Sequence, residues 1–476
     1  MNIIPSIILN PQTDIPLYQQ LYQQIKNAIL TGQLLPQTAL PPTRQLAAQL
    51  NIGRNTVIAA YQQLTIEGFT YSQTGSGTYI ANLPPLNPSP PFSPPLSPWG
   101  RRLPPPPTNP PPRPDLDIDF GFGRTFPHHF PYDIWRQLLS RYLSTDDTML
   151  ARYGSTAGFT PLRHALATYL RQRRGVVCQP EQIIIVSGAQ QAVDIIARLF
   201  LTSGDTVLVE NPGYRDVYAL FQAHGARLHP LDVDDDGLPT PPPPPSRTRL
   251  LFITPTHQFP HGGTMPLPRR LALLNWAQKH QVIILEDDYD SELRYDTHPL
   301  AALQGLDPHG HVIYLGTFSK ILFPALRLGY VVLPPPLVPL FQRAKGLTDR
   351  GAPTLTQAAV ADFITAGHFQ RHLDQLRRTY RQRWQAMMAA LDQHLPPTIH
   401  YTRQPAGLHV MLRLPPETDE AALIQTAAHH GLGLYPGAPY HLNPLPPPTI
   451  LLSYASLTPA QIHTGIARLA PLIPHP

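Results

Sequence analysis

The residues whose types and spacing could do chemistry lie in 282–332, VIILEDDYDSELRYDTHPLAALQGLDPHGHVIYLGTFSKILFPALRLGYVV. Two β-branched runs, Val282–Leu285 and Val312–Leu315, each lead straight into polar residues. The first delivers Asp287 and Tyr289, the second Thr317, Ser319 and Lys320. Arg327 follows seven residues after the lysine, ahead of a third strand-like run, Leu328–Leu333. An open α/β sheet holds its ligand at the carboxyl ends of such strands. A lysine there can hold an aldehyde covalently. A carboxylate can keep a ring nitrogen protonated, so that the ring drains electrons. A phenol can hydrogen-bond a ring oxygen, and Thr, Ser and Arg together suit a dianionic phosphate.

Those are the demands of pyridoxal 5′-phosphate (PLP), with Lys320 as the anchor. The bland alternative, a buried lysine–aspartate pair beside a solvated arginine, does not account for the order Asp-x-Tyr, Ser-Lys, Arg-x-Gly. The stretch resembles a fold-type I PLP site, and EDDYD with GTFSK resembles the MocR/PdxR-type regulators in particular.

Other elements must position these groups. Ile183–Val186 reads as a strand, and Ser187-Gly188-Ala189-Gln190 turns from it into an apolar helix, Ala192–Leu201. A glycine-bearing strand-to-helix turn presents free N–H groups and the positive end of a helix dipole, which suits the cofactor phosphate. Val207–Glu210 is a further strand, ending in Asn211-Pro212-Gly213-Tyr214. The resemblance implies that Tyr214 stacks on the pyridine ring, although an aromatic after a turn can equally be packing. Leu250–Thr254 leads to Thr256-His257-Gln258-Phe259-Pro260-His261-Gly262, a segment that the resemblance places beside the ring oxygen. His257 is a secondary candidate there, and His261 stands where the family usually has threonine. Ala151-Arg152-Tyr153-Gly154 and Gly158 form a glycine-punctuated loop entering a helix at Leu162–Leu170.

Residues 16–81 read as a separate helical unit. Leu17, Leu21, Ile25, Ala28 and Ile29 share one helical face. Pro41-Pro42-Thr43 opens a second helix, with Thr43 the expected cap and Leu46, Ala47 and Leu50 inward. A third helix carries Arg54, Asn55 and Thr56 at its start and Val57, Ala60, Tyr61 and Leu64 on its apolar side. Phe69–Ile80 reads as a hairpin with Gly75-Ser76-Gly77 at its tip. Three helices and a hairpin describe a winged helix-turn-helix. The pattern LPPTRQLAAQLNIGRNTVIAAYQQLTIEGF…GSGTYI resembles the GntR-type DNA-binding domain. That resemblance implies a double-stranded DNA operator met by Arg44, Arg54, Asn55, Thr56, Gly77 and Thr78. The first turn of a recognition helix does face base edges and phosphates. Gln37 stands where the family usually has glycine, and Pro42 where it usually has serine. Only Lys26, Arg44 and Arg54 are basic here, against Asp14 and Glu67, so each unit should bind weakly with little counterion release.

The expected domains are therefore a winged helix at 13–81, a linker at 82–115 and an aminotransferase-like PLP domain at 116–476. The last divides into a large subdomain of about 150–350 and a small one of about 351–476. The linker has sixteen prolines and no apolar period, so it cannot pack a core. Pro241–Pro245 reads as a loop inside the PLP domain. Residues 351–395 read as a long helical connection, in which Arg371, Arg377, Arg378, Arg381 and Arg383 suggest a solvated face or a subunit contact, with DNA wrapping the lesser alternative. The whole chain is only +5 in net charge, too little to announce a nucleic-acid binder by itself. A single cysteine, Cys178, excludes an intrachain disulfide framework and fits a reducing cytoplasm. No apolar run is long enough to span a membrane, and the apolar start MNIIPSIIL is too short and uncharged for export. No metal site is expected.

Regulator and enzyme are both open to such a chain. The resemblance implies a transcriptional regulator, dimeric as fold-type I proteins generally are, that senses PLP, an amine or an amino acid. The rival is a working aminotransferase with an accessory DNA-binding domain. Fold-type I aminotransferases resemble one another in a C-terminal strand of the type Arg-Leu-Ser-Phe-Ala, whose arginine clamps the substrate carboxylate. Here the stretch is Leu451-Leu452-Ser453-Tyr454-Ala455, with leucine in the arginine's place. Without that fork, transamination should be residual at most, unless Arg124, Arg403 or Arg413 replaces it.

Overall fold

A computed structural model describes residues 7–83, 94–104, 116–121, 130–144, 151–295, 300–443 and 446–474. The chain divides into two compact units, Met1–Pro95 and Leu96–Pro476.

The first unit packs α1 (Leu17–Leu30), α2 (Thr43–Leu50) and α3 (Arg54–Ile66) beside a hairpin of β1 (Thr70–Gln73) and β2 (Gly77–Ile80). Leu21, Ile25, Leu46, Val57, Ala60, Tyr61, Leu64 and Ile80 form its core. All but Ile80, which comes from the hairpin, are positions that helical spacing selected, and each aliphatic side chain so buried contributes about 1.5–3 kcal/mol. One local expectation changes. Pro42, not Thr43, occupies the N-cap of α2, with no side-chain cap bond, and Thr43 is the first helical residue. Proline's fixed φ suits the extended residue before a helix. Gln37, where the resemblance led to an expectation of glycine, has φ 63°, in the left-handed region that favours glycine.

The second unit is built on a seven-stranded sheet. Its strands are β3 (Ile183–Val186), β4 (Thr206–Asn211), β5 (Arg227–Asp232), β6 (Thr248–Ile253), β7 (Ile283–Asp288), β8 (Val312–Thr317) and β9 (Gly329–Val332). The spatial order is β3-β9-β8-β7-β6-β4-β5, and β9 alone runs antiparallel to its neighbours. Strand alternation sorts the side chains to two faces. Ile184, Val186, Leu285, Ile313, Leu315 and Val331 enter one core; Ile183, Ile185, Tyr314, Tyr330 and Val332 enter another. Near-continuous apolar strands of this kind are buried on both sides. Pro241–Pro245 lies in the connection between β5 and β6, where the Pro242 carbonyl accepts from the Trp276 indole at 2.9 Å.

A smaller antiparallel sheet follows, ordered His400–Tyr401, His409–Arg413, Thr449–Ser453, Tyr435–Pro436. Ile118–Asp119 pairs with Leu432–Gly433, so the start of this unit joins the C-terminal core. The expected single connection over 351–395 is two helices, Thr354–Thr365 and His368–His394, broken at Gly367 with φ 74°. The first packs in the large core. The second buries Phe369, Leu373 and Tyr380 there and Met387, Ala390 and Leu391 in the small one, so one helix serves both cores. Its arginines are not one solvated face. Arg383 is buried with its guanidinium on the Ala455 carbonyl, and Arg377 Nε donates to the Glu292 carbonyl at 2.6 Å. Part of the expected linker also belongs to this unit. Pro98–Arg101 forms a helical turn capped by Ser97, Arg102 donates to Ser203 Oγ at 3.2 Å, and the Trp99 ring meets His224. Residues 84–93 and 105–115 of that linker lie outside the described residues, as does Arg124.

Candidate functional site

At the carboxyl ends of the parallel strands, with the turn after β3, lies a cavity of 390 Å³. That is within the range of roughly 300–1,000 Å³ of small-molecule sites. Gly188, Ala189, Gln190, Tyr214, Asp287, Tyr289, Thr317, Ser319, Lys320 and Arg327 all line it. Side chains from five separate strand ends thus converge where sequence reading placed one ligand.

Strand alternation decides which acid of Glu286-Asp287-Asp288 faces the cavity. Glu286 points away and accepts the backbone N–H groups of Leu303 and Gln304 at 2.7 and 2.8 Å. Asp288 points the same way, forming a fully buried pair with Arg174 at 2.7 Å and accepting the Tyr314 hydroxyl at 2.5 Å. Asp287, between them, lines the cavity. Its Oδ1 is buried and has no hydrogen-bond partner among the described residues. Burial, then the charges of Asp288, Asp290 and Glu210, pushes this carboxyl up to about 7, against a pull from Lys320. A protonated ring nitrogen would give this oxygen a donor and the carboxylate a positive charge in direct contact.

Tyr289 stands beside it. Its hydroxyl is 2.8 Å from His257 Nδ1, which is also 2.9 Å from Asp290 Oδ2. A carboxylate can only accept, so the proton sits on Nδ1. Burial, followed by Asp290 and Asp287, holds the Tyr289 phenol far above its ordinary pKa. It therefore keeps its proton as a donor for an oxygen in the cavity. His257 does not line the cavity; it backs Tyr289 instead, and Gly407 (φ 79°) allows this, since a Cβ there would lie 2.1 Å from the imidazole.

Lys320 follows a local turn in which the Ser319 N–H donates to Thr317 Oγ1 at 3.1 Å. Burial lowers the Lys320 pKa, opposed by Asp290 and Asp287, which favours the nucleophilic free amine. Opposite, Gly188 (φ 101°) caps helix Ala189–Phe200, so the first-turn N–H groups open on the cavity. Arg327 adopts φ 49° and its Nη2 donates to the Ser187 carbonyl at 3.1 Å. That left-handed conformation costs about 1–2 kcal/mol, and it is spent on bringing a guanidinium against the helix N-terminus. Ser187 contributes this carbonyl rather than a lining side chain. Together these groups suit a dianion.

Compared with known proteins, residues 17–80 match the bacterial regulatory proteins of the gntR family and residues 121–469 the aminotransferases of class I and II. The probable rhizopine catabolism regulatory protein MocR of Rhizobium meliloti is 38% identical over 470 residues, covering 97% of this chain and 95% of that protein. The chain belongs to the MocR-type transcriptional regulators. The pyridoxine biosynthesis regulator PdxR of Corynebacterium glutamicum is 32% identical, covering 90% of this chain and 89% of that one. Among solved structures, the kynurenine aminotransferase of Pyrococcus horikoshii, crystallised with PMP, superposes with a TM-score of 0.70 at 31% identity. It covers 75% of this chain and 90% of that one.

Within this MocR-type fold several cavity residues escaped sequence reading. Thr254, Phe259, Arg215, Asp216, Pro324 and Tyr440 also line it. Thr254 was visible only as a strand end; its hydroxyl bonds the buried Glu210 at 2.7 Å. Tyr440 sits in a short turn with no periodic signal, and its carbonyl accepts from Gly213 N–H at 2.9 Å. The arginines considered as substitutes for the clamp lie elsewhere. Arg403 pairs with Asp392, while Arg413 contacts Asp235 and His261. Leu451 is buried in strand Thr449–Ser453 beside Met411 and Tyr435, not in the cavity. In the first unit, Arg44, Arg54, Asn55 and Gly77 are exposed and Thr56 and Thr78 half-buried. Arg54 Nε lies 3.4 Å from Thr43 Oγ1. No helix among the described residues is long and apolar enough to cross a membrane.

Proposed function

We propose that this regulator holds PLP through Lys320 and uses the bound cofactor to sense PLP itself, an amine or an amino acid in the cytoplasm, as a homodimer on an operator. The observation that carries the reading is the unpartnered Oδ1 of Asp287, facing the same cavity as Lys320. PLP, once bound, supplies an electron-poor ring; the chain's own residues hold it. Asp287 would take the ring nitrogen, Tyr289 the ring oxygen and Tyr214 one ring face. Gly188, Ala189, Gln190, Thr317, Ser319 and Arg327 would take the phosphate, with His257 and Asp290 fixing Tyr289.

The regulator is favoured over an enzyme by Leu451, whose strand offers no cation for a substrate carboxylate. A second copy of the chain suits the exposed Tyr153 and Leu347, which are 86% and 92% accessible. Arg44, Arg54, Asn55, Thr56, Gly77 and Thr78 would meet the DNA. The effector acts by binding two arrangements of the PLP domain unequally, which moves the DNA-binding units.

Borohydride reduction of the PLP-loaded protein, digestion and mass spectrometry should place the label on Lys320, and Lys320→Ala should lose the covalent linkage. A label on another lysine overturns the assignment.

A further inference from the structure

Two imidazoles meet at the surface of the C-terminal core. His394 is the last residue of helix His368–His394, and His463 lies in the second turn of helix Pro459–Leu469. Their Nε2 atoms are 3.4 Å apart and their rings lie edge to face, with 4.9 Å between centroids. Both helices are fixed beneath the pair. Met387, Ala390 and Leu391 of the first and Ile462 and Ile466 of the second are buried in one core. The rings therefore face each other from positions 69 apart in the chain, with no spacing signal to announce them.

A hydrogen bond between the rings is a poor account of this contact. Its 3.4 Å exceeds the roughly 2.7–3.2 Å of a good N–H bond. The His463 Nε2 proton also has a nearer acceptor, Gln393 Oε1 at 3.1 Å. Metal chelation fits the spacing better. Zinc binds imidazole nitrogen at about 2.0–2.1 Å, so two such nitrogens on one tetrahedral ion stand about 3.3–3.4 Å apart. Asp392, next in the chain, is taken by Arg403 and Tyr401. No cluster of three or more His, Cys, Asp or Glu side chains suited to a metal occurs among the described residues. The donors on offer are thus the two imidazoles, Gln393 Oε1 and water.

We infer that His394 and His463 chelate a divalent cation of the class that prefers imidazole, such as Zn²⁺ or Cu²⁺, with Gln393 Oε1 and water completing its shell. On binding, the His463 Nε2 proton passes to water and Nδ1 takes one up, so both rings stay neutral with their Nε2 lone pairs on the ion. Helix His368–His394 also buries Phe369, Leu373 and Tyr380 in the large core. A cation at its last turn therefore ties the helix shared by both subdomains to helix Pro459–Leu469. Because the unfolded chain does not hold the two rings together, the ion raises the melting temperature.

The test uses the full-length, untagged, PLP-loaded protein, stripped of metal and titrated with ZnCl₂ against a chromophoric chelator. Two imidazoles on one scaffold act as linked binding groups, so losing either lowers affinity about 100-fold or more. His394→Gln and His463→Gln should each remove one tight Zn²⁺ equivalent per chain, and the double variant should bind no more weakly than either. Zn²⁺ should raise the melting temperature of the wild type and not of the double variant, while Mg²⁺, which takes oxygen ligands, should raise neither. Cu²⁺ at one equivalent on the wild type should show two histidine nitrogens by pulsed electron paramagnetic resonance. One nitrogen or none overturns the inference without recourse to any variant. So does a tight Zn²⁺ equivalent, or a Zn²⁺-induced rise in melting temperature, that persists in the double variant, since the chain has 21 histidines in all.

Discussion

Asp287→Asn should change stability in opposite directions with and without PLP. In the PLP-free chain, burial and three neighbouring acids raise Asp287 from the ordinary 3.8 to about 7. Below about pH 3.8 folded and unfolded chains both carry the proton, and the residue costs nothing. From there to about 7 the unfolded chain loses the proton while the folded one keeps it, so stability falls as pH rises. Above about 7 the penalty is complete. At about 1.36 kcal/mol for each tenfold in proton affinity, it amounts to at most about 4 kcal/mol at pH 8 and about 1.6 kcal/mol at pH 5. Asparagine carries no charge and removes it. The PLP-free variant should therefore melt above wild type at pH 8, by roughly 5 °C for a domain of this size, with a smaller gain at pH 5. With PLP bound the charged carboxylate would pair with the ring nitrogen, and losing one member of a buried pair costs about 3–5 kcal/mol. PLP affinity should then fall on the order of 100-fold or more. Thermal melts of stripped and loaded protein at both pH values, with equilibrium dialysis of PLP, measure each part. If the stripped variant is less stable than wild type at pH 8, or its gain is the same at pH 5, Asp287 is not the strained acid argued for here.

Two further outcomes concern the DNA. Arg54→Ala should weaken operator binding about tenfold or more and lower the salt slope of log Kd by about one; an unchanged slope would exclude a phosphate contact for Arg54. Because Leu96–Leu103 belongs to the PLP domain, the tether shortens to residues 82–95, a reach of about 43 Å at about 3.1 Å per residue. Two half-sites should thus tolerate an added turn of about 10 base pairs better than a half turn of about 5, and equal gel-shift affinity for both would show that the tether imposes no phase.

Much of this site was legible because its signals are local. EDDYD and GTFSK each lie on one strand end, and apolar runs of four to six residues suffice to draw the strands. The recognition helix was legible for the same reason: Val57, Ala60, Tyr61 and Leu64 repeat at helical spacing and are its buried residues. What stayed hidden depends on topology or backbone conformation. Tyr440 and Arg215 are 225 positions apart and meet only because Asn211 and Gly213 bind the turn at 440–442. The arginines after Phe369 looked uniform by charge, yet Arg383 falls on the stripe that carries Leu376 and Tyr380 inward. Pro98–Arg101 was lost in a proline-rich tract whose composition gives no hint of the Arg102–Ser203 contact.

Leu451 ties the two halves of the argument together. An aminotransferase must hold its substrate's carboxylate so that the reacting bond is oriented, and binding that is equal in ground and transition states does not accelerate it. A sensor has no such requirement. It needs a ligand to bind one arrangement of the domain better than another, and turnover would destroy the signal it reports. In this chain the groups that fit a cofactor are all in place around Lys320, Asp287 and Arg327, while the strand position that would orient a substrate for chemistry is an apolar core residue. A chain that can fix a cofactor but offers no strand cation to orient a substrate is suited to report binding rather than to turn over.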